Sequence, residues 1–228
     1  MALIKFSGFG ITEISGKVGG NVSARNKSGA TLRNRVKGTN PRTNAQTNQR
    51  AKFSSNAGGW RGLTTAERKS WNLAGASGEW PIKTRIGEVM QPSGSQLYNM
   101  LNDTITSVGA APISSPPLKV SFTSIVLGTL TAASGAPALS LAFTGVLGSD
   151  EGLVVNATYG VSPGVTRPSN FRKVAYYAST TPANLLAGYQ GVFGNPIEGT
   201  QIFVEVEIVN ELTGQRELVG KVSAIVAA

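Results

Sequence analysis

Hydrophobic positions change their spacing part-way along the chain. In the second half they alternate with polar ones, over 120–126, 138–143, 153–159, 171–177, 202–209 and 218–226. A period of two is that of a strand with one buried face. Between the last two runs, Asn210-Glu211-Leu212-Thr213-Gly214-Gln215-Arg216 has the composition of a hairpin turn. About six to eight short strands with turn residues between them predict an immunoglobulin-like β-sandwich over 119–228. That stretch has neither Cys nor Trp, so the disulfide and tryptophan pin of antibody domains is missing. A small barrel or a jelly roll is the alternative that the same spacing leaves open.

The first half has a different grammar. Polar alternation on both sides of Asn26-Lys27-Ser28-Gly29 predicts a basic hairpin over 20–37. It is too polar to build a core and has to lie on something. Asn40-Pro41-Arg42-Thr43-Asn44 has the form of a helix start, with a helix over 44–57. Thr64 followed three residues later by Glu67 is a capping box, predicting a helix from 65 to about 75. Leu97, Met100, Leu101, Thr104 and Ile105 share one helical face, predicting a helix over 94–106. Three prolines fall between 112 and 117 and force an extended course. The expected organisation is therefore a basic extended arm with a hairpin and short helix (1–62), a helical segment (63–108), a Pro-rich linker (109–118) and the β-sandwich (119–228). The fold class is α+β, mainly β.

Composition removes much chemistry. None of the 228 residues is Cys or His. Disulfides, thiolate nucleophiles, Ser-His-Asp triads and Cys- or His-ligated metals are excluded. The usual general base near neutral pH is missing too. No P-loop occurs, since Gly16-Lys17-Val18-Gly19-Gly20 lacks the spacing. Asp150-Glu151 lies in turn composition, Glu205 and Glu207 share what reads as a solvated strand face, and Glu211 and Glu217 flank the hairpin. A glycosidase needs two positioned carboxylates, and no pair here qualifies. We expect no enzyme, no cofactor and no metal. The apolar start, Met1 to Ile4, is too short for a secretory signal or a membrane helix, so a protein with no membrane partner, made in the cytoplasm, is expected.

Charge then separates the halves. The net +9 is made of +10 over 1–110 and −1 over 111–228. No acid lies between Glu13 and Glu67, but ten bases do: Lys17, Arg25, Lys27, Arg33, Arg35, Lys37, Arg42, Arg50, Lys52 and Arg61. Such a run repels itself and calls for an acidic partner, protein or nucleic acid. Trp60, Trp71 and Trp80 all lie in this half, as anchors of a small helical core, as anchors of a protein interface or as platforms for nucleic-acid bases.

One composite motif covers the basic half. It runs Gly16-Lys17-Val18-Gly19-Gly20, Arg25-Asn26-Lys27-Ser28-Gly29, Arg33, Asn40-Pro41-Arg42-Thr43, Gln46, Gln49-Arg50, Phe53, Trp60-Arg61-Gly62-Leu63-Thr64 and Glu67-Arg68-Lys69-Ser70-Trp71. This resembles a group of tailed-phage structural proteins, of crAss-like and related phages, in which the pattern precedes a variable region. The resemblance implies a virion component, most simply a capsid auxiliary protein of cementing or decoration type. Its basic arm would clamp the major capsid protein or other virion subunits, and the β domain would contact neighbours or support fibre attachment. A homo-oligomer, with a trimer among the expected states, follows from that role. Within the same class the alternative is a tail, connector or head-fibre component. In another class it is a nucleic-acid-binding virion protein.

Overall fold

The computed structural model describes residues 2–4, 15–27, 29–36, 40, 42–84, 87–178 and 184–228. Helices and antiparallel sheets are both present, an α+β content. The chain divides into two compact units, Met1–Leu97 and Tyr98–Ala228, so the Pro-rich stretch 109–118 lies within the second.

The first unit opens with β1 (Ala2–Ile4), β2 (Gly16–Val18), β3 (Asn21–Asn26) and β4 (Gly29–Asn34), in the order β1-β4-β3-β2. The expected hairpin is β3–β4, closed by the pair Asn26↔Gly29. Gly29 takes φ 109°, which a side chain would resist. A lone two-stranded ribbon is marginal in water. Here β2 and β1 extend it on both edges.

Helix α1 (Asn44–Gly62) starts at Thr43, whose hydroxyl accepts the Gln46 N–H at 3.3 Å. It runs beyond the expected stop at 57, through Gly58 and Gly59. Its far end is held from the next helix. The Arg68 guanidinium donates to the carbonyls of Arg61 (3.0 Å) and Leu63 (2.8 and 3.0 Å), which satisfies groups that the helix leaves open. Helix α2 (Thr65–Ala76) has the expected capping box. The Thr64 N–H donates to Glu67 Oε2 at 2.7 Å, and the Glu67 N–H donates back to Thr64 Oγ1 at 3.2 Å.

A short ribbon, β5 (Ile82–Lys83) and β6 (Val89–Met90), precedes α3 (Gly94–Ser107). Ser93 and Gln96 cap α3 reciprocally, with the Ser93 N–H on Gln96 Oε1 at 2.8 Å and the Gln96 N–H on Ser93 Oγ at 3.3 Å. The chain approaches itself closely here. A Cβ on Gly75 of α2 would lie 2.7 Å from the Pro92 carbonyl oxygen. One on Gly94 would lie 2.6 Å from the Asn72 nitrogen. Of the expected α3 stripe, Leu97, Leu101, Thr104 and Ile105 are buried and Met100 is at the exposed edge.

The second unit holds the hairpin β7 (Val126–Ala133) and β8 (Ala138–Thr144), then β9 (Glu151–Ala157), β10 (Arg172–Ala178), α4 (Leu186–Phe193), β11 (Gln201–Asn210) and β12 (Arg216–Ile225). The larger sheet is antiparallel, in the order β10-β9-β11-β12. Alternate residues of β9 and β11 (Leu153, Val155, Ala157; Ile202, Val204, Val206, Ile208) form one core with Leu130, Leu139, Leu141, Leu185 and Tyr189. This is the period-two reading realised. In the β11–β12 turn, Asn210 Oδ1 accepts the N–H groups of Leu212 and Thr213, and Gly214 takes φ 71°. Gly214 lies so close to Leu101 and Ile105 of α3 that no side chain fits there.

One expected strand needs correction, and one helix was not expected. The run 120–126 alternates but is not a strand, and β7 begins only at Val126. Its amides are taken by side chains: the Val120 N–H donates to Gln215 Oε1 at 2.7 Å and the Thr123 N–H to Glu151 Oε1 at 3.0 Å. With no ladder partner, alternation alone does not make a strand. Helix α4 went unread because Gly188 and Gly191 interrupt it. Yet Leu185, Tyr189 and Phe193, spaced by four, carry its inward face.

Candidate partner-binding surface

The sheet of the first unit sets out its cations by register. Lys17 lies opposite Val22, and Val22 opposite Arg33. Residues directly opposite share a face, so Lys17 and Arg33 stand on one side with Val22 between them, about 9–10 Å apart over two strand spacings. Arg35 continues that strand, its N–H donating to the Gly20 carbonyl at 2.6 Å. Arg25 pairs with Ala30 on the opposite face, and Lys27 is in the turn. All five side chains are exposed.

Helix α1 supplies the second group. Arg50, Phe53, Ala57 and Arg61 recur at i, i+3, i+7 and i+11, a single stripe with Trp60 beside it. Phe53 is 64% exposed and Trp60 half-buried. Among the described side chains of α1 only Asn56 is buried. A helix of this length that presents almost its whole circumference has surface to spare for a partner. Lys52 lies away from the stripe, and Arg42 precedes the cap at φ 52°. Phe53 is the residue that reasoning from charge passed over, although its spacing from Arg50 and Ala57 within the expected helix was there to read.

Among the described residues, the side chains of Lys17, Lys27, Arg33, Arg35, Arg42, Arg50, Lys52 and Arg61 make no ion pair and no hydrogen bond within the chain. The expected site residue Lys37 lies outside the described residues. Trp71 is fully buried and Trp80 nearly so, at 7% exposure. Both therefore belong to the interior, and Trp60 is the one tryptophan of the three that reaches the surface.

Four acids of the second unit have internal work. Buried Glu151 accepts from the Thr123 N–H and hydroxyl and from the Gly148 N–H at 2.9 Å. Glu205 pairs with Lys221, and Glu207 with Arg216 at 3.9 Å. Glu211 accepts from the Tyr176 hydroxyl. Burial, and next the Glu211 carboxylate, raise the Tyr176 phenol above its ordinary value. Burial raises Tyr177 as well. Tyr189 is pushed up to about 12, first by burial and then by the neighbouring Tyr159, against a hydrogen bond from the Gly160 backbone. Among the described residues no three Asp, Glu, His or Cys gather where a metal ion could sit.

No family model, no curated protein and no solved structure matches the chain. Among the described residues no helix is long and apolar enough to cross a membrane.

Proposed function

We propose that this chain is a virion structural protein, a capsid auxiliary of cementing or decoration type that grips neighbouring capsid subunits through its first unit. One observation carries the reading. Eight exposed cations on the β2–β4 sheet, on α1 and just before α1 have no acidic partner among the described residues. Ion pairs of exposed groups are individually weak, about 0–1 kcal/mol, so a row of unpaired cations gains most from an acidic surface that meets many at once. Arg predominates, and its planar fork pairs two-to-two with carboxylates. The Phe53–Trp60 stripe would supply the apolar centre of such a contact, with Arg50 and Arg61 at its ends. The resemblance over residues 16–71 supports the same class. In this reading the second unit is an immunoglobulin-like sandwich. Its support is that the β7–β8 hairpin and the β10-β9-β11-β12 sheet share one core. The protein would reside in the capsid as a homo-oligomer.

The test is co-sedimentation of the full chain with assembled capsid shells, beside a gel shift on duplex DNA. Arg33→Glu with Arg35→Glu should abolish sedimentation with shells while leaving the fold intact by circular dichroism. Unchanged sedimentation overturns the reading. The same unpaired cations favour one second reading, a nucleic-acid-binding virion protein. It would show itself as DNA binding whose affinity falls by about 0.9 log units per log unit of salt for each phosphate contacted.

A further inference from the structure

The second unit has a cleft of about 610 Å³ that the proposed capsid role does not use. This is within the roughly 300–1,000 Å³ of ligand sites. It lies between the chain leaving β9 and the end of α4. Its aromatic groups are Tyr159, Phe171 and Phe193, and its polar groups are Ser169, Asn170 and Arg172, with the buried Thr158 hydroxyl already accepting the Phe203 N–H. Tyr159 is 50% exposed. The Tyr159 and Phe193 rings are 6.2 Å apart with their planes at 54°, so they form an open V. Phe193 is backed by the buried Tyr189, 5.1 Å away, which fixes the deep wall.

The polar side is unspent. Among the described residues, Ser169 and Asn170 make no side-chain hydrogen bond. Asn170 is held at φ 66°, a left-handed conformation that Asn tolerates better than most residues. The Arg172 guanidinium lies 5.8 Å from the centre of the Phe193 ring and has no acidic partner among the described residues. Among the described residues no carboxylate lines the cleft.

A ligand for this lining has an apolar face for a ring and a rim of hydroxyls for Ser169, Asn170 and Arg172. A pyranose ring has that division, with C–H groups on its face and hydroxyls at its edge. A nucleobase stacked between parallel rings does not suit planes at 54°. Residues 98–228 carry six bases against eight acids, which disfavours a polyphosphate chain. We propose that this cleft binds a short saccharide, with Tyr159 stacking on a sugar face, Ser169 and Asn170 bonding its hydroxyls, and Arg172 receiving a hydroxyl or a sugar carboxylate. The proposal is independent of the capsid role.

The test uses the full chain on an array of neutral, amino- and uronate-bearing oligosaccharides, with saturation-transfer NMR on those bound. Binding of at least one class is expected. Tyr159→Ala should weaken it about tenfold, the scale of a lost aromatic face. Arg172→Ala, at an exposed side chain that a fold tolerates, should weaken uronate-bearing sugars more than neutral ones. Asn170→Gly keeps the backbone conformation and removes only the amide, and should weaken binding too. An array with no bound sugar, wild-type binding in all three variants, or displacement of the sugar signal only by oligonucleotide or peptide competitors overturns the proposal.

Discussion

Asn102 is fully buried in α3 with both ends of its amide engaged. Its nitrogen donates to the carbonyls of Tyr98 (3.1 Å) and Ile113 (3.3 Å), and its oxygen accepts the Ile113 N–H at 2.7 Å. One side chain thus supplies a strand-like pair of bonds to a Pro-rich stretch that has few amides of its own to offer. Asn102→Ala leaves the Ile113 amide unsatisfied and should cost about 1–3 kcal/mol in urea unfolding, with cleavage by a nonspecific protease moving to 109–118. Asn102→Asp should lose at least as much at neutral pH, since its buried carboxylate has no proton to give the Tyr98 and Ile113 carbonyls that face it. A smaller loss from Asn102→Asp than from Asn102→Ala at neutral pH would refute this account. Nothing in the sequence marks Asn102 out. Its partner is eleven residues away in a segment without periodicity, and an Asn on a helix reads as a solvated position.

Elements were more legible than their joints. The capping box at Thr64 and Glu67, the α3 stripe and the β11–β12 hairpin all rest on local spacing, and local spacing is in the sequence. The basic residues were legible as a charge run. Their grouping into the Lys17–Arg33 row and the Arg50–Arg61 stripe needed the register and the helix length. What stayed hidden depends on contact between distant segments. The approach of α2 to the start of α3 is an example, since Gly75 and Gly94 stand at the ends of expected helices, where a glycine draws no notice, but serve as clearance. Gly94→Ala should unfold at a lower temperature by several degrees, because the methyl meets the backbone of Trp71 and Asn72, which cannot yield as a side-chain tip would. Gly58→Ala, with open space around it inside α1, should instead raise stability by up to about 1 kcal/mol through helix propensity. Differential scanning calorimetry of the two variants checks both signs, and a loss at Gly58 would show that α1 is held by something other than its own backbone.

For the molecule as a whole, ionisation acts at the alkaline end. Tyr176, Tyr177 and Tyr189 all have raised phenol pKa values in the second unit. In the unfolded chain they ionise near the ordinary value of about 10, where the folded chain still holds its protons. The folded state then binds more protons than the unfolded one, so stability falls as pH rises. Full stability is expected below pH 10, with progressive loss from there toward the Tyr189 value of about 12. Urea midpoints measured across that range, with tyrosinate absorbance followed in parallel, check the sign. Tyr177→Phe should flatten the slope, and an unchanged slope in Tyr176→Phe, Tyr177→Phe and Tyr189→Phe would place the alkaline loss elsewhere.

The two side-chain stitches that keep 120–123 out of a sheet also set an order in time. Val120 is tied to a residue 95 positions away and Thr123 to one 28 positions away. Neither acceptor is in place until β9 has joined β11 and the β11–β12 turn has closed, because Glu151 opens β9 and Gln215 lies in that turn. Closing such long loops for one bond each is unfavourable until the anchors are already fixed. The strap across 120–123 is therefore expected to close after β9, β11 and their turn and to lift before them, which faster amide exchange at Val120 and Thr123 than in β9 and β11 would show.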